Sequence, residues 1–575
     1  MSFQPVGLGA TIFTERYARH EEETWDEACK RVATHVAAAE EDSDHWSTRF
    51  HQQLTDGLFM PGGRIWYGAG RPKAQLLNCF VLPAADSREG WGKALSDTLV
   101  VSGLGGGVGI NASPVRPRGT PIRGTGGEAT GAVSFMQLIN GIGEVIRGGG
   151  GRRMALMLCL NLSHPDVPEF LDAKLDRGEL TNANVSVVLD LDPAEFAKRV
   201  REGGTIPLSW AGSVISEVDA GDLWARLVQN AHESGEPGVL NGWLANAENN
   251  IWYHKPLVST NPCGEIWLES YGCCDLGALV LPRFVNDGEL DWDALDESVR
   301  LGVRFLDDVL TVNHYPLPEI KQNCEDVRRI GLGVMGLHSM LMELGVKYSS
   351  KQALEVVDKL FAFIKHTAYD ESCNLAIEKG PFPAYSPKLL ESGYMKRMKR
   401  GIRNKIKERG LRNCALLTIA PTGTTGMVQG VTTGIEPLFA PAYYRRRWVG
   451  DIKAKSLVVS NEYARHGDLA EGAYDVPVEQ HFAMQKVVQN HIDNAVSKTI
   501  NLPADYPVEE LSEVWLRYLP QLKGTTLYRA GSRGEEPMEA LPISEAQEAA
   551  AMVEAQTGLT MEQYAMDCVD GVCEV

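Results

Sequence analysis

The sequence predicts an α/β protein with a largely parallel β-sheet. Short apolar runs of strand character, such as Ser186–Leu189, alternate along the chain with segments whose apolar residues recur at helical spacing. A length of 575 residues, with 44% hydrophobic and 23% charged residues, provides for a large core and more than one structural unit.

Composition and charge exclude several functional classes. The formal net charge of −19 would repel a polyphosphate backbone, so the chain is a poor non-specific nucleic-acid binder. No apolar run approaches the roughly 18 residues needed for a membrane span. The N-terminus lacks the basic and then apolar layout of a secretory signal. We therefore expect a cytoplasmic protein without a membrane anchor.

The N-terminal part combines helices with one buried strand. Residues 10–60 are polar with Ala-rich segments, which predicts helices that pack outside the main core. The apolar run Leu76–Leu82 predicts a buried strand that carries Cys79, with Asp86 and Ser87 beyond its end.

A glycine-rich region with three arginines follows. Glycine is dense in Gly103–Gly109 and Gly124–Glu128, and this indicates backbone that approaches a ligand closely. The arginines in the same region, Arg116, Arg118 and Arg123, predict a phosphate ligand. A long flexible loop is the alternative. We reject a dinucleotide-binding βαβ fold, because no clear strand precedes Gly124-x-Gly-x-x-Ala129 and no suitably placed acid follows it.

Helical periodicity predicts long helices over Phe135–Ile146, Leu295–Leu310 and Leu354–Ile364. The first is followed by the glycines 148–151 and then by Arg152. Such a loop can reorganise around a ligand, so it is a candidate for communication between two sites. The alternative is a helix cap with solvated charges.

The stretch Ser259–Ile266 carries the strongest chemical signal. If it is extended, Asn261, Cys263 and Glu265 leave from one face, because side chains alternate along a strand. A thiol, a carboxylate and an amide aimed at one volume suit hydrogen-atom and proton transfer. The alternative is a surface loop with an incidental cysteine.

The cysteines do not indicate a metal site or a disulfide framework. There are eleven, an odd and scattered set in a large chain without a secretory signal. Neither Cys-x2-Cys nor His-Glu-x-x-His occurs, so the sequence predicts no bound zinc.

The run Leu416–Met427 predicts a strand, a tight turn and a helix start. Its turn places hydroxyls and backbone amides at a helix N-terminus, which makes an anion cradle of Thr422, Gly423, Thr424 and Thr425. No Lys follows the last glycine, so this is not a Walker loop. The aromatic and basic run Tyr443–Trp448 favours internal packing over nucleic-acid stacking on such an acidic chain.

Beyond Arg533 the chain becomes acidic and Ala-rich and has few large apolar residues. Cys568 and Cys573 near its end suit the transfer of a disulfide between a buried site and an external reductant. The alternative is a pair of inert exposed thiols.

Together, Asn261–Glu265, the threonine turn with Gly434–Pro437, and the Cys-x4-Cys tail resemble the catalytic chain of ribonucleotide reductases. The resemblance extends from about Phe59 to the C-terminus. It implies a ten-stranded α/β barrel of two antiparallel, five-stranded parallel halves with a finger loop threaded through it. It also implies three regions: an N-terminal helical region without the nucleotide-binding cone of many relatives (1–58), the catalytic barrel (59–533) and a flexible redox tail (534–575).

The resemblance implies a role for each residue of the site. Cys263 would be the thiyl radical that abstracts the 3′ hydrogen, Glu265 the base on the 3′-hydroxyl, and Asn261 the residue that orients the ribose hydroxyls. Cys79 and Cys274 match the pair that reduces C2′. The neighbouring Cys273 leaves the partner of Cys79 open, and similarity to the family's Cys-Asn-Leu-Gly favours Cys274.

The same resemblance implies the binding partners. A ribonucleoside di- or triphosphate would lie against Asn78, Gly106 and the turn Thr422–Thr425. A deoxynucleotide or ATP effector would occupy a specificity site. Its matching residues are Asp86, Ser87, Arg116 and Arg123, with Arg152 linking the effector to base choice. Thioredoxin or a glutaredoxin-like protein would recharge Cys568 and Cys573, and a homodimer is usual among similar relatives.

Motif details resemble the adenosylcobalamin-dependent class. Its relatives carry a segment like Gly524–Arg533, in which Tyr528 stands alone, whereas the class with a separate radical-generating subunit uses two adjacent tyrosines. The Arg-Val-x-Gly-Tyr motif of the glycyl-radical class is absent. A catalytic chain that takes its radical from a separate metal-containing subunit is one alternative. An inactive nucleotide-binding regulator is the second.

Overall fold

A computed structural model describes residues 2–124, 126–146, 154–175, 178–449, 452–532 and 538–557. The residues predicted from the resemblance at Arg152, Cys568 and Cys573 lie outside these ranges. The α-helices in them are α1 (Gly7–Arg16), α2 (Trp25–Ala37), α3 (Ser43–Thr55), α4 (Gly63–Gly68), α5 (Arg88–Gly103), α6 (Ala132–Val145), α7 (Val167–Asp172), α8 (Pro193–Glu202), α9 (Ala220–Ser234), α10 (Gly242–Ala247), α11 (Trp292–Val312), α12 (Pro318–Val327), α13 (Leu337–Glu343), α14 (Lys351–Lys379), α15 (Gly393–Lys396), α16 (Arg400–Arg409), α17 (Gly423–Gln429), α18 (Asn461–His466), α19 (Val478–Gln489), α20 (Val508–Tyr518) and α21 (Ile543–Thr557).

The strands in these ranges are β1 (Phe59–Pro61), β2 (Cys79–Val81), β3 (Gly107–Asn111), β4 (Leu156–Asn161), β5 (Asn184–Val188), β6 (Thr205–Trp210), β7 (Ser213–Asp219), β8 (Gly238–Leu240), β9 (Ser259–Thr260), β10 (Trp267–Leu268), β11 (Cys273–Cys274), β12 (Gly277–Val280), β13 (Val285–Asn286), β14 (Glu289–Leu290), β15 (Leu332–Met335), β16 (Ala442–Val449), β17 (Ile452–Val459), β18 (Thr499–Leu502), β19 (Gly524–Arg529) and β20 (Met538–Leu541).

The N-terminal region is helical, as the sequence predicts for residues 10–60. Helix α2 begins at a capping box in which Thr24 and Glu27 satisfy each other's backbone amides. Its buried Trp25 stacks on Trp66 of α4 at 4.8 Å between ring centroids, so the helices pack onto the start of the next region. The hydroxyl of Tyr17 lies 2.7 Å from Thr424 Oγ1, which connects this region to the threonine turn.

A central parallel array carries one half of the molecule. Strands β2, β3, β4, β5 and β8 are neighbours in that order and all run parallel. They are short apolar runs that are buried on both faces, which is the pattern of a covered parallel sheet. The predicted parallel α/β architecture is therefore confirmed, and Cys79 lies at the start of its strand.

A second parallel array runs from β12 to β19. Strand β12 pairs with β15, and β18 pairs with β19, in both cases in parallel. Between them lies the strand predicted at the start of Leu416–Met427. In the structure it takes part only through the isolated parallel bridges Leu332↔Leu417 and Ile419↔Val496. The second array meets the first in the antiparallel pairing of β19 with β8. At the other edge of the first array, β2 pairs antiparallel with β11, the strand that precedes β12 in the chain.

The three predicted long helices are confirmed as α6, α11 and α14. Helix α14 runs for 29 residues and ends at Gly380, whose φ of +83° lies in a region that favours glycine. Helices α11 and α14 pack on each other, and their buried faces join the main apolar core.

Residues 538–557 of the expected flexible tail have regular structure. Strand β20 pairs with β16, and α21 packs against both strands. The basic run Tyr443–Trp448 lies in β16, which also forms a hairpin with β17. Among the described residues, no helix is both long and apolar enough to cross a membrane.

Candidate active site

The predicted site residues converge on one cavity of about 280 Å³ between the two parallel arrays. Residues from both arrays and from the β9–β10 hairpin line it. Ten positions singled out in the sequence are among them: Asn78, Cys79, Gly106, Asn261, Cys263, Glu265, Thr422, Gly423, Thr424 and Thr425.

The β9–β10 hairpin lies against the first array and presents its tip to the cavity. A β-carbon at Gly109 would overlap the carbonyl oxygen of Thr260, so a glycine in β3 lets the hairpin pass. Pro262 packs close to Gly107 in the same way. The hairpin backbone is thereby held inside the protein, not on its surface.

The tip is a turn, so the expectation of an extended segment is wrong. The amide of Asn261 donates to Ile266 O at 3.2 Å, and the amide of Gly264 donates to Asn261 O at 3.1 Å. Gly264 has φ +79°, which an L-residue rarely adopts. The side chains of Asn261, Cys263 and Glu265 nevertheless line one cavity, because the turn curls around it.

Asn261, Cys79 and Glu265 form a connected polar group. The Asn261 side-chain amide donates to Cys79 Sγ at 3.2 Å, and Cys79 Sγ lies 3.8 Å from Glu265 Oε1. Glu265 is buried, and its Oε2 has no hydrogen-bond partner among the residues that the structure describes. Burial raises the pKa of Glu265 to about 7, so this carboxyl can both take up and release a proton near neutral pH.

Cys263 lies where two cavities meet. It lines the first cavity, and with Gly264 it also lines a second of about 640 Å³. The side chain is accessible through these cavities although protein surrounds it. Burial, and after it the charge of Glu265, raise the pKa of the Cys263 thiol, so it stays protonated and retains an S–H bond.

Cys274 is the direct partner of Cys79 in the β11–β2 register. The two cysteines share one small apolar cluster with Val81, Ile266 and Leu268. Cys273 pairs with Phe80 and belongs to the main core instead. Successive side chains of a strand point to opposite faces, so only Cys274 faces Cys79.

The threonine turn closes the other end of the first cavity. Thr422 adopts φ +49° immediately before α17, and its hydroxyl accepts from the amide of Gly434 at 2.8 Å. The Thr425 hydroxyl donates to Thr422 O at 3.3 Å. These two bonds fix the turn at the start of α17, where Thr422 to Thr425 line the cavity.

Two family models cover nearly the whole chain. The model described as ribonucleotide reductase, barrel domain, matches residues 77–528, and the model described as ribonucleotide reductase, all-alpha domain, matches residues 4–74. The chain belongs to the ribonucleotide reductase family.

Individual relatives agree with the family models. A vitamin B12-dependent ribonucleoside-diphosphate reductase of Mycobacterium tuberculosis is 34% identical over 91% of this chain and 79% of its own. One of Thermoplasma acidophilum, with the same name, is 33% identical over 85% of this chain and 66% of its own. A ribonucleoside-diphosphate reductase subunit alpha of Chlamydia muridarum is 26% identical over 80% of this chain and 50% of its own.

The predicted effector residues of this reductase lie away from the cavity. Arg116 pairs with Asp86 at 2.9 Å, and Ser87 caps α5 by accepting from the amide of Gly90. Arg123 is exposed. Arg118, from the same glycine-rich region, forms an ion pair with Glu169.

Sequence reasoning missed two residues at the site of this ribonucleotide reductase. Arg64 is 4% exposed and lines the first cavity beside Gly62 and Gly63. Tyr17 reaches Thr424 from the N-terminal helices. The run Pro61–Arg64, in which two glycines precede an arginine, was the available signal for the first residue. Nothing local indicated the second.

Proposed function

We propose that this chain is an adenosylcobalamin-dependent ribonucleotide reductase that makes 2′-deoxyribonucleotides through a thiyl radical at Cys263. The observation that carries the proposal is the place of Cys263 at the junction of two cavities. One cavity holds the acid–base and thiol groups that the reduction needs, and the other leaves room beside the same sulfur for a radical source.

We infer that the two arrays close into the ten-stranded barrel that the resemblance implies. Strands β11 and β12 follow each other almost directly in the chain. Strand β11 pairs with β2 of the first array and β12 pairs with β15 of the second, so this segment connects the two arrays. The bridges at 417 and 419 and the pairing of β19 with β8 connect the remaining neighbours. The β9–β10 hairpin is then the finger loop.

In this proposal the ribose lies over the hairpin tip. Cys263, oxidised to a thiyl radical, takes the 3′ hydrogen atom and returns it at the end of the reaction. Glu265 removes the 3′-hydroxyl proton, a role that fits a buried carboxyl with a pKa of about 7. Asn261 orients the hydroxyls while its amide contacts Cys79.

Cys79 and Cys274 supply the two electrons. The C2′–OH bond breaks with release of water, a hydrogen replaces it, and the two thiols become one disulfide. Cys79 lines the cavity and Cys274 stands behind it, so Cys79 is the member that contacts the substrate. Both thiols are kept protonated because burial raises the pKa of each.

The substrate phosphates would lie on the threonine turn, Thr422 to Thr425, and Asn78 and Gly106 line the same cavity. The Tyr17 contact to Thr424 fixes that turn from outside. The names of the relatives favour a diphosphate substrate.

Further parts of the proposal follow from the resemblance. A deoxynucleotide or ATP would bind at Asp86, Ser87, Arg116 and Arg123 and act through Arg152. A thioredoxin- or glutaredoxin-like protein would reduce Cys568 and Cys573, which would then reduce the Cys79–Cys274 disulfide. The chain would act in the cytoplasm as a homodimer, with residues 1–58, 59–533 and 534–575 as its helical region, barrel and redox tail.

The second cavity is where the cofactor would lie in this proposal. It is larger than the substrate cavity, is bounded by Glu436, Lys498 and Tyr528, and reaches Cys263. When bound, adenosylcobalamin would supply the unpaired electron by cobalt–carbon homolysis. The vitamin B12-dependent names of two relatives support the assignment.

A catalytic chain that depends on a separate radical-generating subunit is the second candidate. The subunit alpha of Chlamydia muridarum favours it, at lower identity. An assay of the purified chain with ribonucleotide, dithiothreitol and adenosylcobalamin, and with no second protein, separates the two. We expect deoxynucleotide to form, which would also exclude an inactive regulator.

Replacement of Cys263 tests the central claim. We expect Cys263→Ser to abolish turnover, because an O–H bond is too strong to form the radical, while substrate binding measured by equilibrium dialysis stays intact. Cys159→Ser, a buried cysteine of β4 in contact with Ser259, is the matched control and should retain activity. Turnover by Cys263→Ser would reject the mechanism.

A further inference from the structure

Arg64 brings a positive charge to the wall of the first cavity. The described residues that line this cavity include one basic side chain, Arg64, and one acidic side chain, Glu265. Arg64 is 4% exposed, so its charge is held inside the protein. The threonine turn offers hydroxyls and backbone amides, which are neutral donors. A phosphate chain adds several negative charges, and its burial beside a carboxylate requires a compensating cation.

A glycine gives the guanidinium of Arg64 its place. Nη1 of Arg64 donates to Leu104 O at 3.4 Å, and a β-carbon at Gly105 would overlap this nitrogen. Gly105 has φ +84°, a conformation that favours glycine. The guanidinium therefore lies against the loop that leads from α5 into β3. This loop, Gly105–Gly107, is one wall of the cavity.

A second polar group on the same wall lacks a partner. Ser102, in the last turn of α5, is 1% exposed and lines the cavity. Its Oγ has no hydrogen-bond partner among the residues that the structure describes. The amide of Gly105 donates to Ser102 O at 2.8 Å, so Ser102 belongs to the loop against which Arg64 lies. A buried hydroxyl without a partner is costly unless a ligand satisfies it, and a hydroxyl beside a guanidinium suits a phosphate oxygen.

The segment that carries Arg64 also contacts the support of the threonine turn. Directly before Arg64, a β-carbon at Gly63 would lie 3.1 Å from the hydroxyl of Tyr17. The same hydroxyl lies 2.7 Å from Thr424 Oγ1. The start of α4 and the threonine turn are thus joined through one tyrosine, and the charge of Arg64 attracts an anion that lies on the turn.

We propose that Arg64 binds a phosphate of the ribonucleotide, with Ser102 as a hydroxyl donor, and thereby selects phosphorylated substrates over free nucleosides. The proposal rests on the proposed reductase function, which supplies the nucleotide. It adds to the threonine turn the positive charge that the turn lacks. A guanidinium suits this task because it can donate two parallel N–H bonds to a phosphate. The opposing role is a structural one, in which Arg64 only holds Leu104 O and packs on the ring of Tyr67.

Inhibition by pyrophosphate separates the two roles. Inorganic pyrophosphate and the free nucleoside would each be tested as competitive inhibitors of the reaction with ribonucleoside diphosphate, adenosylcobalamin and dithiothreitol. We expect Arg64→Gln to raise the KM of the substrate and the Ki of pyrophosphate by about 10- to 150-fold, the usual loss for a hydrogen bond to a charged group. The kcat and the Ki of the nucleoside should stay unchanged, because neither depends on a phosphate contact.

Two further variants grade the effect. Arg64→Lys keeps the charge without the paired donors, so it should recover part of the affinity for pyrophosphate. Ser102→Ala should raise the Ki of pyrophosphate by roughly 2- to 12-fold, the effect of one neutral hydrogen bond. It removes a single oxygen atom, so it tests the same wall even if Arg64→Gln does not fold.

Arg71→Gln is the matched control. Arg71 packs on the same Tyr67 ring and donates to Tyr67 O at 2.8 Å, but it does not line the cavity. It should change neither Ki. If Arg64→Gln raises the Ki of the nucleoside as much as that of pyrophosphate, or changes neither, the phosphate role of Arg64 is overturned and the reductase function stands.

Equilibrium dialysis with labelled pyrophosphate gives a readout that needs no activity. We expect Arg64→Gln to bind less pyrophosphate than the wild type, and Arg71→Gln to bind as much, with circular dichroism confirming the fold of each. Equal binding by all three proteins would overturn the site. A wild-type chain that forms no deoxynucleotide, but whose binding of pyrophosphate depends on Arg64, would reject the proposed function and support the anion site.

Discussion

Cys274 and Cys79 are direct partners across antiparallel strands. Opposed residues in such a pair have Cα atoms roughly 4.5–5.5 Å apart, within the range of about 4.4–6.8 Å that a disulfide spans. We predict that Cys274→Ser abolishes multiple turnover, because the reduction would lose its second thiol. Cys273→Ser should retain steady-state turnover with dithiothreitol. Deoxynucleotide formation in both variants is the measurement.

Equal loss in the two variants would contradict this assignment, and full activity of Cys274→Ser would contradict it more strongly. Near-UV and far-UV circular dichroism of each variant separates a chemical defect from a folding defect, since both positions are buried.

Glu265 should control the pH dependence of the reaction. Its pKa is raised to about 7 by burial, and the deprotonated form acts as the base, so kcat/KM should rise as pH increases through about 7. We expect Glu265→Gln to lower kcat/KM by about 10²–10⁴-fold, the usual contribution of a general base. The residual activity should no longer rise with pH.

The measurement is kcat/KM from pH 5.5 to 8.5 for both proteins at constant ionic strength. A wild-type profile that is flat across this range would remove Glu265 from the role of base. Asn261→Ala is a useful comparison, because it removes a contact to Cys79 without removing an ionisable group. Its profile should keep the wild-type shape at a lower rate.

Local sequence patterns predicted the elements and the members of the site. The spacing of apolar residues gave α6, α11 and α14, and the alternation of elements gave the parallel array. Residue chemistry gave Asn261, Cys263 and Glu265. Their common cavity did not depend on the predicted extended backbone, because a curled tip between two strands also points its side chains inward.

Contacts between distant segments were beyond such patterns. A local motif resemblance favoured Cys274 over Cys273, but which of the two faces Cys79 depends on the register with β2, almost two hundred positions earlier in the chain. The contact of Tyr17 with Thr424 joins two regions that the sequence treats separately.

Asp275 should make the protein less stable as pH rises. It is fully buried, and neither of its carboxyl oxygens has a hydrogen-bond partner among the described residues. Burial, and after it Cys324, raise the pKa of Asp275 well above its usual value. The folded chain then holds a proton that the unfolded chain releases above about pH 3.9. The stabilising contribution is complete below that pH and is lost as pH rises toward the folded pKa.

Asp275→Asn removes this dependence with little change of shape. We expect the variant to have a higher Tm than the wild type, and this difference should grow between pH 5 and pH 8. The corresponding difference in the free energy of unfolding grows by at most about 1.4 kcal/mol per pH unit. Asp307→Asn is the matched control, because Asp307 is equally buried but is paired with Arg328 and Arg412. It should be destabilised, since the guanidinium groups of Arg328 and Arg412 lose their carboxylate partner. A Tm difference for Asp275→Asn that does not vary with pH would contradict the prediction.

The Asp86–Arg116 pair should be needed for effector binding and not for the basal reaction. It lies at the start of α5 and away from the substrate cavity. We expect Arg116→Ala to abolish the change in substrate preference caused by deoxynucleotides, with unchanged turnover in their absence. Arg118→Ala removes a neighbouring ion pair, to Glu169, and should leave the effector response intact. Fluorescence titration with a labelled deoxynucleotide measures effector binding, and product ratios from mixed substrates measure substrate preference. An equal loss of the effector response in the two variants would argue against a specific site at Arg116.

Tyr17 should help to hold the threonine turn for substrate. Its hydroxyl lies 2.7 Å from Thr424 Oγ1, and one such hydrogen bond contributes about 0.5–1.5 kcal/mol. We expect Tyr17→Phe to raise KM by roughly 2- to 12-fold with little change in kcat, because the contact supports substrate binding and not the reacting atoms. Tyr253→Phe removes a hydroxyl that bonds Ala384 O far from the cavity, and it should leave KM unchanged. A fall in kcat at unchanged KM for Tyr17→Phe would mean that the contact acts on the chemical step instead.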